Sequence, residues 1–162
     1  MVEITTIFSG LEVAAITIGI VFAFLQLRDI NKTRQAELFT ALRETMDTTE
    51  FWMKYKHIVI DNEGFTLKDI REAVEKRPEL YGEMMSLVSF YQHIGWLVKT
   101  GHMNINSVGE NMALAIIRVY EALVPHLHEF GRRVDRPQIY ENFDYLYEKM
   151  KIKRKERIER MK

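Results

Sequence analysis

Apolar residues follow one another almost without interruption near the start of the chain and become periodic only later. From Ile4 to Leu27 the only charged side chain is that of Glu12, and residues 11–27 read LEVAAITIGIVFAFLQL. A helix over this run extends about 36 Å at about 1.5 Å per residue, whereas a bilayer core is about 30 Å thick. The pattern predicts one transmembrane helix. A buried core helix would be shorter and striped, and a cleaved signal peptide would begin with basic residues, which are absent here.

Basic residues flank this run on its C-terminal side only. Arg28, Lys32 and Arg34 follow it closely, and no Lys or Arg precedes it. Because basic flanks of membrane helices stay in the cytoplasm, we expect a single-pass cell-membrane protein. Its N-terminus would lie outside the cell, and residues 28–162 would lie in the cytoplasm.

One face of the predicted transmembrane helix combines small and polar side chains. At about 100° per residue, this face contains Glu12, Ala15, Gly19, Ala23 and Gln26. Small residues at this spacing let helix backbones approach closely in lipid, and an acid within the membrane faces protein or water. The face therefore predicts self-association. The alternative is a homo-oligomeric ion channel or pore, with Glu12 and Gln26 facing the axis.

After Leu27 the apolar positions take the spacing of amphipathic helices. We expect an all-α fold, in which the N-terminal segment and transmembrane helix (1–27) continue as a juxtamembrane stalk (28–46). A cytoplasmic bundle of about five helices (47–150) and a basic tail (151–162) follow. A polar break at 47–49 separates the stalk from a helix over 50–59. The residues expected to be buried in that helix are Phe51, Trp52, Tyr55 and Ile58.

Local residues indicate where the later helices begin and end. Thr66–Asp69 and Ser107–Glu110 have the spacing of capping boxes. Pro78 and Pro137 suit the first turn of a helix, and Gly101 suits a helix end. In the helix from Pro78, the expected buried face consists of Met84, Leu87, Val88, Tyr91, Ile94, Gly95 and Val98.

The helix after Ser107 is expected to be interrupted near its C-terminal end. Pro125 would kink it or end it, because proline lacks an N–H group and its ring clashes with the preceding turn. Gly131 would then close the region before the last helix. In that last helix, Ile139, Tyr140 and Phe143 begin the expected buried side.

Charge is unevenly distributed along a chain with a net charge of zero. Residues 149–162 are strongly basic, so the rest of the chain is acidic. Basic residues near the cytoplasmic leaflet attract anionic lipid. The candidate lipid-binding residues are Lys151, Lys153, Arg154, Lys155 and Arg157. The alternatives are a solvated helix end and a nucleic-acid contact, but aromatic residues do not alternate with the basic ones as in many nucleic-acid-binding segments.

Motifs for chemistry are absent from the sequence. There is no glycine-rich phosphate loop and no nucleophile elbow, and the chain contains no cysteine. The five histidines lack the spacing of three or four residues that metal binding on a helix favours. We therefore expect no enzymatic activity, no cofactor, no metal and no nucleic-acid partner.

Several short stretches in a fixed order carry a resemblance to a known family. They are Thr49–Trp52, Leu87–Gly95, Lys99–His102, Leu123–Leu127 and Tyr140–Leu146. With the N-terminal helix, they resemble a prokaryotic family of membrane-anchored helical proteins, the domain of unknown function 4760. Members often carry an acid near the position of Gln92, where this chain has an amide. The resemblance implies a fold and no activity.

These patterns together predict a membrane-anchored cytoplasmic helical interaction module that self-associates. Its expected partners are membrane lipid, further copies of the chain and an unidentified cytoplasmic protein.

Overall fold

The computed structural model describes residues 2–61, 66–133, 135 and 140–161, with side chains at all of these positions except 2–14, 67, 74, 125, 130 and 133. The elements are α1 (Val2–Met46), α2 (Thr49–Tyr55), a π-helical turn (Lys56–Ile60), α3 (Leu67–Lys76), α4 (Pro78–Lys99), α5 (Ile105–Arg133) and α6 (Glu141–Arg160). No strand is present within the described ranges, and the predicted all-α class is confirmed. Among the same residues, no helix combines the length and the apolar character needed to cross a membrane.

The chain forms two compact units, Met1–Leu38 and Phe39–Lys162, and the boundary between them falls within α1. The first unit contains only the N-terminal part of α1. This helix ends at Met46, as the sequence predicts. The expected polar break follows, where the Thr48 hydroxyl accepts the N–H of Phe51 at 3.2 Å and caps α2.

Helix α6 packs against both α4 and α5, and these three helices form most of the core of the second unit. Aromatic rings connect them. Tyr91 on α4 stacks on Phe143 of α6 at 5.5 Å between centroids, and Phe143 meets Tyr120 of α5 edge-on at 5.3 Å. The predicted apolar face of α4 is buried at all seven positions. In the α2 region, Phe51 is buried as expected, but Trp52 is 48% exposed and its predicted burial is wrong.

The caps of α3 and α4 follow the local sequence. The Thr66 hydroxyl accepts the N–H of Asp69 at 3.3 Å, and the Asp69 carboxylate accepts the N–H of Thr66 at 2.7 Å. This reciprocal pair is the predicted capping box. Pro78 opens α4 as expected. After α4, Gly101 has a φ of +77°, and the N–H of His102 donates to the carbonyl of Leu97 at 2.9 Å. That geometry ends the helix at the predicted glycine.

Helix α5 differs from the prediction at its start. It begins at Ile105, so Ser107 lies inside the helix and does not cap it. Asn104 precedes the helix, and its side-chain oxygen accepts the N–H of Asn106 at 2.8 Å. An asparagine ahead of the serine can satisfy the first N–H groups, and the helix therefore starts earlier.

An end of α5 at Pro125 is contradicted, because the helix continues through position 125 to Arg133 and includes Gly131, whereas the alternative of a kink at Pro125 stays a prediction. Val124 and Leu127 on either side of the proline are fully buried, so packing holds the helical path there. Pro137 and Ile139, expected to open the last helix, lie outside the described residues. Helix α6 is described from Glu141, and it extends through most of the predicted basic tail to Arg160.

Candidate functional site

The part of α1 from Ala15 to Leu27, here called the apolar segment, exposes large apolar side chains around most of the helix, with small residues and Gln26 on the remaining side. Their exposed fractions lie between 53% and 69%, and the residues are Ile16, Ile18, Ile20, Val21, Phe22, Phe24, Leu25 and Leu27. A helix at the surface of a water-soluble domain shows one apolar stripe and a polar opposite face. The apolar segment lacks such a polar face, so it is suited to a surrounding that is itself apolar.

The predicted association face runs along this segment. Ala15, Gly19, Ala23 and Gln26 are all exposed, whereas the Glu12 side chain lies outside the described residues. A methyl group built on Gly19 would meet no atom within 4 Å. Within one chain the surface at Gly19 is therefore open, which leaves room for a second helix. Self-association through this face stays a prediction.

The basic flank directly follows the apolar segment. Arg28, Lys32 and Arg34 are exposed. Within the described part of the chain none of these three residues forms an ion pair. Their charges are consequently available to an external anionic surface.

The predicted lipid-binding cations of α6 fall into two sets. Lys153 lies over Gly109 of α5 and pairs with Glu156 at 2.9 Å. Arg157 donates from Nη1 to the carbonyl of Glu110 at 3.0 Å. These two residues hold α6 against the start of α5.

The other three cations line an open groove between α5 and α6, here called the basic groove. Its rim carries Lys151, Arg154 and Lys155, and its apolar lining is Ile117 of α5 and Ile158 of α6. Within the described ranges neither Arg154 nor Lys155 forms an ion pair or a hydrogen bond. Lys151 pairs with Glu148 at 3.9 Å, so Arg154 and Lys155 are the two cations of the groove that remain available for binding.

Two acids also line the basic groove, and one of them has a partner in the chain. Glu121 accepts the hydroxyl of Tyr147 at 3.0 Å. The Lys151 ammonium lies 4.9 Å from the centroid of the Tyr147 ring. Glu159 is the second acid. Three cations and two acids line the groove, and Arg154 and Lys155 are the cations that form no ion pair within the described residues.

A second polar arrangement joins α5 to the first turn of α6, here called the Asp144 cluster. The Asp144 carboxylate accepts the Tyr120 hydroxyl at 2.9 Å and lies 2.7 Å from Nε2 of His128. An ionised carboxylate can only accept, so Nε2–H of His128 donates to it. Burial, and then the neighbouring Asp144, raise the pKa of the Tyr120 hydroxyl far above its usual value. The cluster holds two helices together.

The remaining histidines are distributed over the surface. His57 lies 2.8 Å from the Glu83 carboxylate, and His93 and His102 both stack on Trp96 at 5.7 Å between centroids. Among the residues that the structure describes, no three potential metal ligands lie together. The expectations of no enzyme and no cofactor stay predictions.

Residues 13–150 match the model of the Domain of unknown function (DUF4760). The chain belongs to this family. No curated protein and no solved structure matches the chain.

The DUF4760 region includes the Asp144 cluster and the whole apolar segment, and it ends before Lys151. The family resemblance found in the sequence is therefore confirmed. The cations on the rim of the basic groove lie beyond the matched residues. The prokaryotic origin and the membrane anchoring implied by the resemblance stay predictions.

Sequence patterns missed the Asp144 cluster. Tyr120 and His128 are eight residues apart, which places them on one face of α5, and this spacing could have paired them. Asp144 lies on the next helix, so helical periodicity does not relate it to Tyr120 and His128. Only the packing of α6 on α5 brings the carboxylate to the other two side chains.

Proposed function

We propose that this DUF4760 protein is a single-pass, membrane-anchored helical interaction module that self-associates, with its bundle in the cytoplasm. The observation that carries the proposal is the exposure of large apolar side chains around most of the apolar segment, with no charged residue within it. At about 25 cal/mol per Å² of apolar surface, leaving such a helix in water is strongly unfavourable. A lipid bilayer surrounds a helix on every side, and it therefore suits this surface.

Two further features support this assignment. The apolar run in the sequence continues N-terminally to Ile4, through residues 4–14, whose side chains lie outside the described residues. Exposed cations without ion-pair partners in the described chain follow the segment at Arg28, Lys32 and Arg34. Such an arrangement favours an N-terminus outside the cell and a cytoplasmic bundle.

The interaction role rests on surfaces that the chain leaves uncovered. The open face at Gly19 supports contact between copies in the membrane. In the bundle, Trp52, Met53 and Ile60 are about half exposed or more, in the α2 helix and the π-helical turn that follows it. Exposed large apolar residues of this kind support docking of a protein partner.

The first test is extraction of the full-length chain from membranes with alkaline carbonate. We expect the protein to stay in the membrane pellet. An Ile16→Arg/Ile20→Arg variant should move to the supernatant, because each central arginine costs about 2.5–3.5 kcal/mol of insertion free energy. The matched control, Ala36→Arg/Thr40→Arg, adds the same charge at exposed positions of α1 beyond the apolar segment and should stay in the pellet.

Recovery of the unmodified chain in the supernatant would contradict membrane anchoring. Orientation is tested separately with single cysteines, since the chain has none of its own. A cysteine replacing the exposed Ser89 should react with an impermeant maleimide only after the cells are opened. Reaction in intact cells would place the bundle outside.

A further inference from the structure

The geometry of the basic groove points to a second membrane contact, made by the C-terminal half of α6. We propose that Lys151, Arg154 and Lys155 bind the headgroups of anionic phospholipids while Ile158 and Met161 enter the interface. This inference rests on the proposed membrane anchoring, which supplies the lipid surface.

The cations of α6 differ in whether the chain itself supplies them with a partner. Lys153 and Arg157 are occupied by contacts within the chain, to Glu156 and to the Glu110 carbonyl. Arg154 and Lys155 have no such partner in the described residues, and both are exposed. An anionic ligand would therefore meet them without first breaking an ion pair.

Exposed apolar residues lie beside these cations. Ile158 lines the basic groove and is 42% exposed, and Met161 at the end of α6 is 70% exposed. At 100° per residue both lie within about 60° of Arg154 around the helix. A soluble phosphate would use the cations alone, whereas a lipid surface also accepts the apolar side chains.

The side chains of these cations are long enough to place their charges at the level of the lipid headgroups. Lysine and arginine side chains lay their aliphatic stems along apolar surface and keep the charge at the headgroup level. Lys151, Arg154 and Lys155 can do so around Ile158. The two acids of the groove weaken the attraction, and the hydroxyl that Tyr147 donates to Glu121 does not remove the charge of that carboxylate. Arg154 and Lys155, which are exposed and form no ion pair within the described residues, still favour an anionic membrane over a neutral one.

The test uses the full-length chain with Met161→Cys as its single cysteine, labelled with an environment-sensitive dye and placed in nanodiscs. We expect brighter, blue-shifted emission when phosphatidylglycerol is mixed into phosphatidylcholine, and quenching by spin-labelled headgroups. Arg154→Gln/Lys155→Gln should lower the ratio of lipid-bound to solvent-exposed label about 30-fold, since each cation contributes about fivefold.

The matched control is Lys149→Gln/Arg160→Gln, which removes the same charge from the opposite side of α6. Lys149 there lies near the Tyr145 ring, and Arg160 donates to the Glu156 carbonyl. This variant should keep the lipid response. Unchanged thermal unfolding of both variants shows that a lost response is not a loss of fold.

Three results would overturn the inference. They are equal emission in neutral and anionic nanodiscs, equal loss in both double variants, and a full response to soluble pyrophosphate or to RNA in neutral nanodiscs. Failure of the chain to enter neutral nanodiscs would instead contradict the anchor. In that case co-sedimentation of the labelled chain with phosphatidylglycerol vesicles still decides whether α6 binds anionic lipid.

Discussion

The hydroxyls of Tyr91 and Tyr120 differ in whether they are hydrogen-bonded within the described structure. The Tyr91 hydroxyl is buried and has no hydrogen-bond partner among the described residues, whereas the Tyr120 hydroxyl donates to Asp144 at 2.9 Å. Burial raises the pKa of both groups. An unpaired buried hydroxyl costs free energy that a phenyl ring does not. The two residues should therefore respond differently to removal of the oxygen.

We predict that Tyr91→Phe leaves stability unchanged or raises it by up to about 1 kcal/mol at neutral pH. The gain should grow with pH. A raised folded-state pKa means that stability is complete below the unfolded value of about 10 and is lost as pH rises through the folded value. Removing this titration makes the variant more resistant to alkali. Urea unfolding between neutral pH and pH values above 10 measures both effects.

Tyr120→Phe is the comparison variant, because it removes a hydroxyl that is paired. It should cost about 1 kcal/mol at neutral pH, as Asp144 loses one of its two donors. A destabilising Tyr91→Phe change, equal to that of Tyr120→Phe, would mean that the Tyr91 hydroxyl has a partner in solution.

At the scale of single elements, local sequence predicts helix ends only where no competing cap is present. Thr66 caps α3 as expected. Ser107 has an equally good spacing to Glu110, but Asn104 precedes it and α5 starts at Ile105. The capping motif thus identifies the region of a helix start, and the choice within it depends on neighbouring side chains.

Such local patterns do not predict contacts between helices. The periodicity of α4 predicts its buried face correctly, including Gly95. It does not show that the side-chain oxygen of Gln92 accepts the N–H of Phe143 in the first turn of α6, at 2.7 Å. A carboxylate at position 92 could accept the same N–H group.

The closest approach of α4 to α6 depends on a glycine. A methyl group built on Gly95 would overlap the backbone carbonyl of Asn142. We predict that Gly95→Ala destabilises the protein by about 1–3 kcal/mol, because the backbone of α6 has to move to make room. Thermal or urea unfolding of the full-length chain measures the change.

Gly82 provides a matched control on the same helix, since a methyl group there meets nothing within 4 Å. Gly82→Ala should raise stability by about 0.5–1 kcal/mol through the lower flexibility of alanine in the unfolded chain. If Gly95→Ala were as stable as Gly82→Ala, the helices would be further apart than the structure places them.

At the scale of the whole molecule, composition and periodicity were sufficient for the all-α class and for the order of the helices. They wrongly predicted that Trp52 is buried, because the apolar spacing of α2 does not show which side of the helix has no other element packed against it. They also did not show which cations of α6 contact α5 and which remain exposed. Lys153 and Lys155 are equivalent in the sequence, and only the position of Gly109 on α5 distinguishes them.

Assembly in the membrane is the property of the whole molecule that the association face predicts. Gly19→Leu fills the open surface at Gly19, so the single chain tolerates it while a second helix can no longer approach closely. We expect native mass spectrometry in nanodiscs to show fewer copies than for the unmodified chain. Thr17→Leu places a leucine at an exposed position on the opposite side of the helix and should keep the copy number.

The copy number of the unmodified chain also decides between the two membrane hypotheses. A dimer supports the interaction module and excludes a pore, because two single helices cannot enclose an aqueous path. Four or more copies in a closed ring would favour the channel alternative, and Glu12→Gln should then change cation flux through liposomes without changing assembly. Equal copy numbers for Gly19→Leu and the unmodified chain would contradict the association face in both cases.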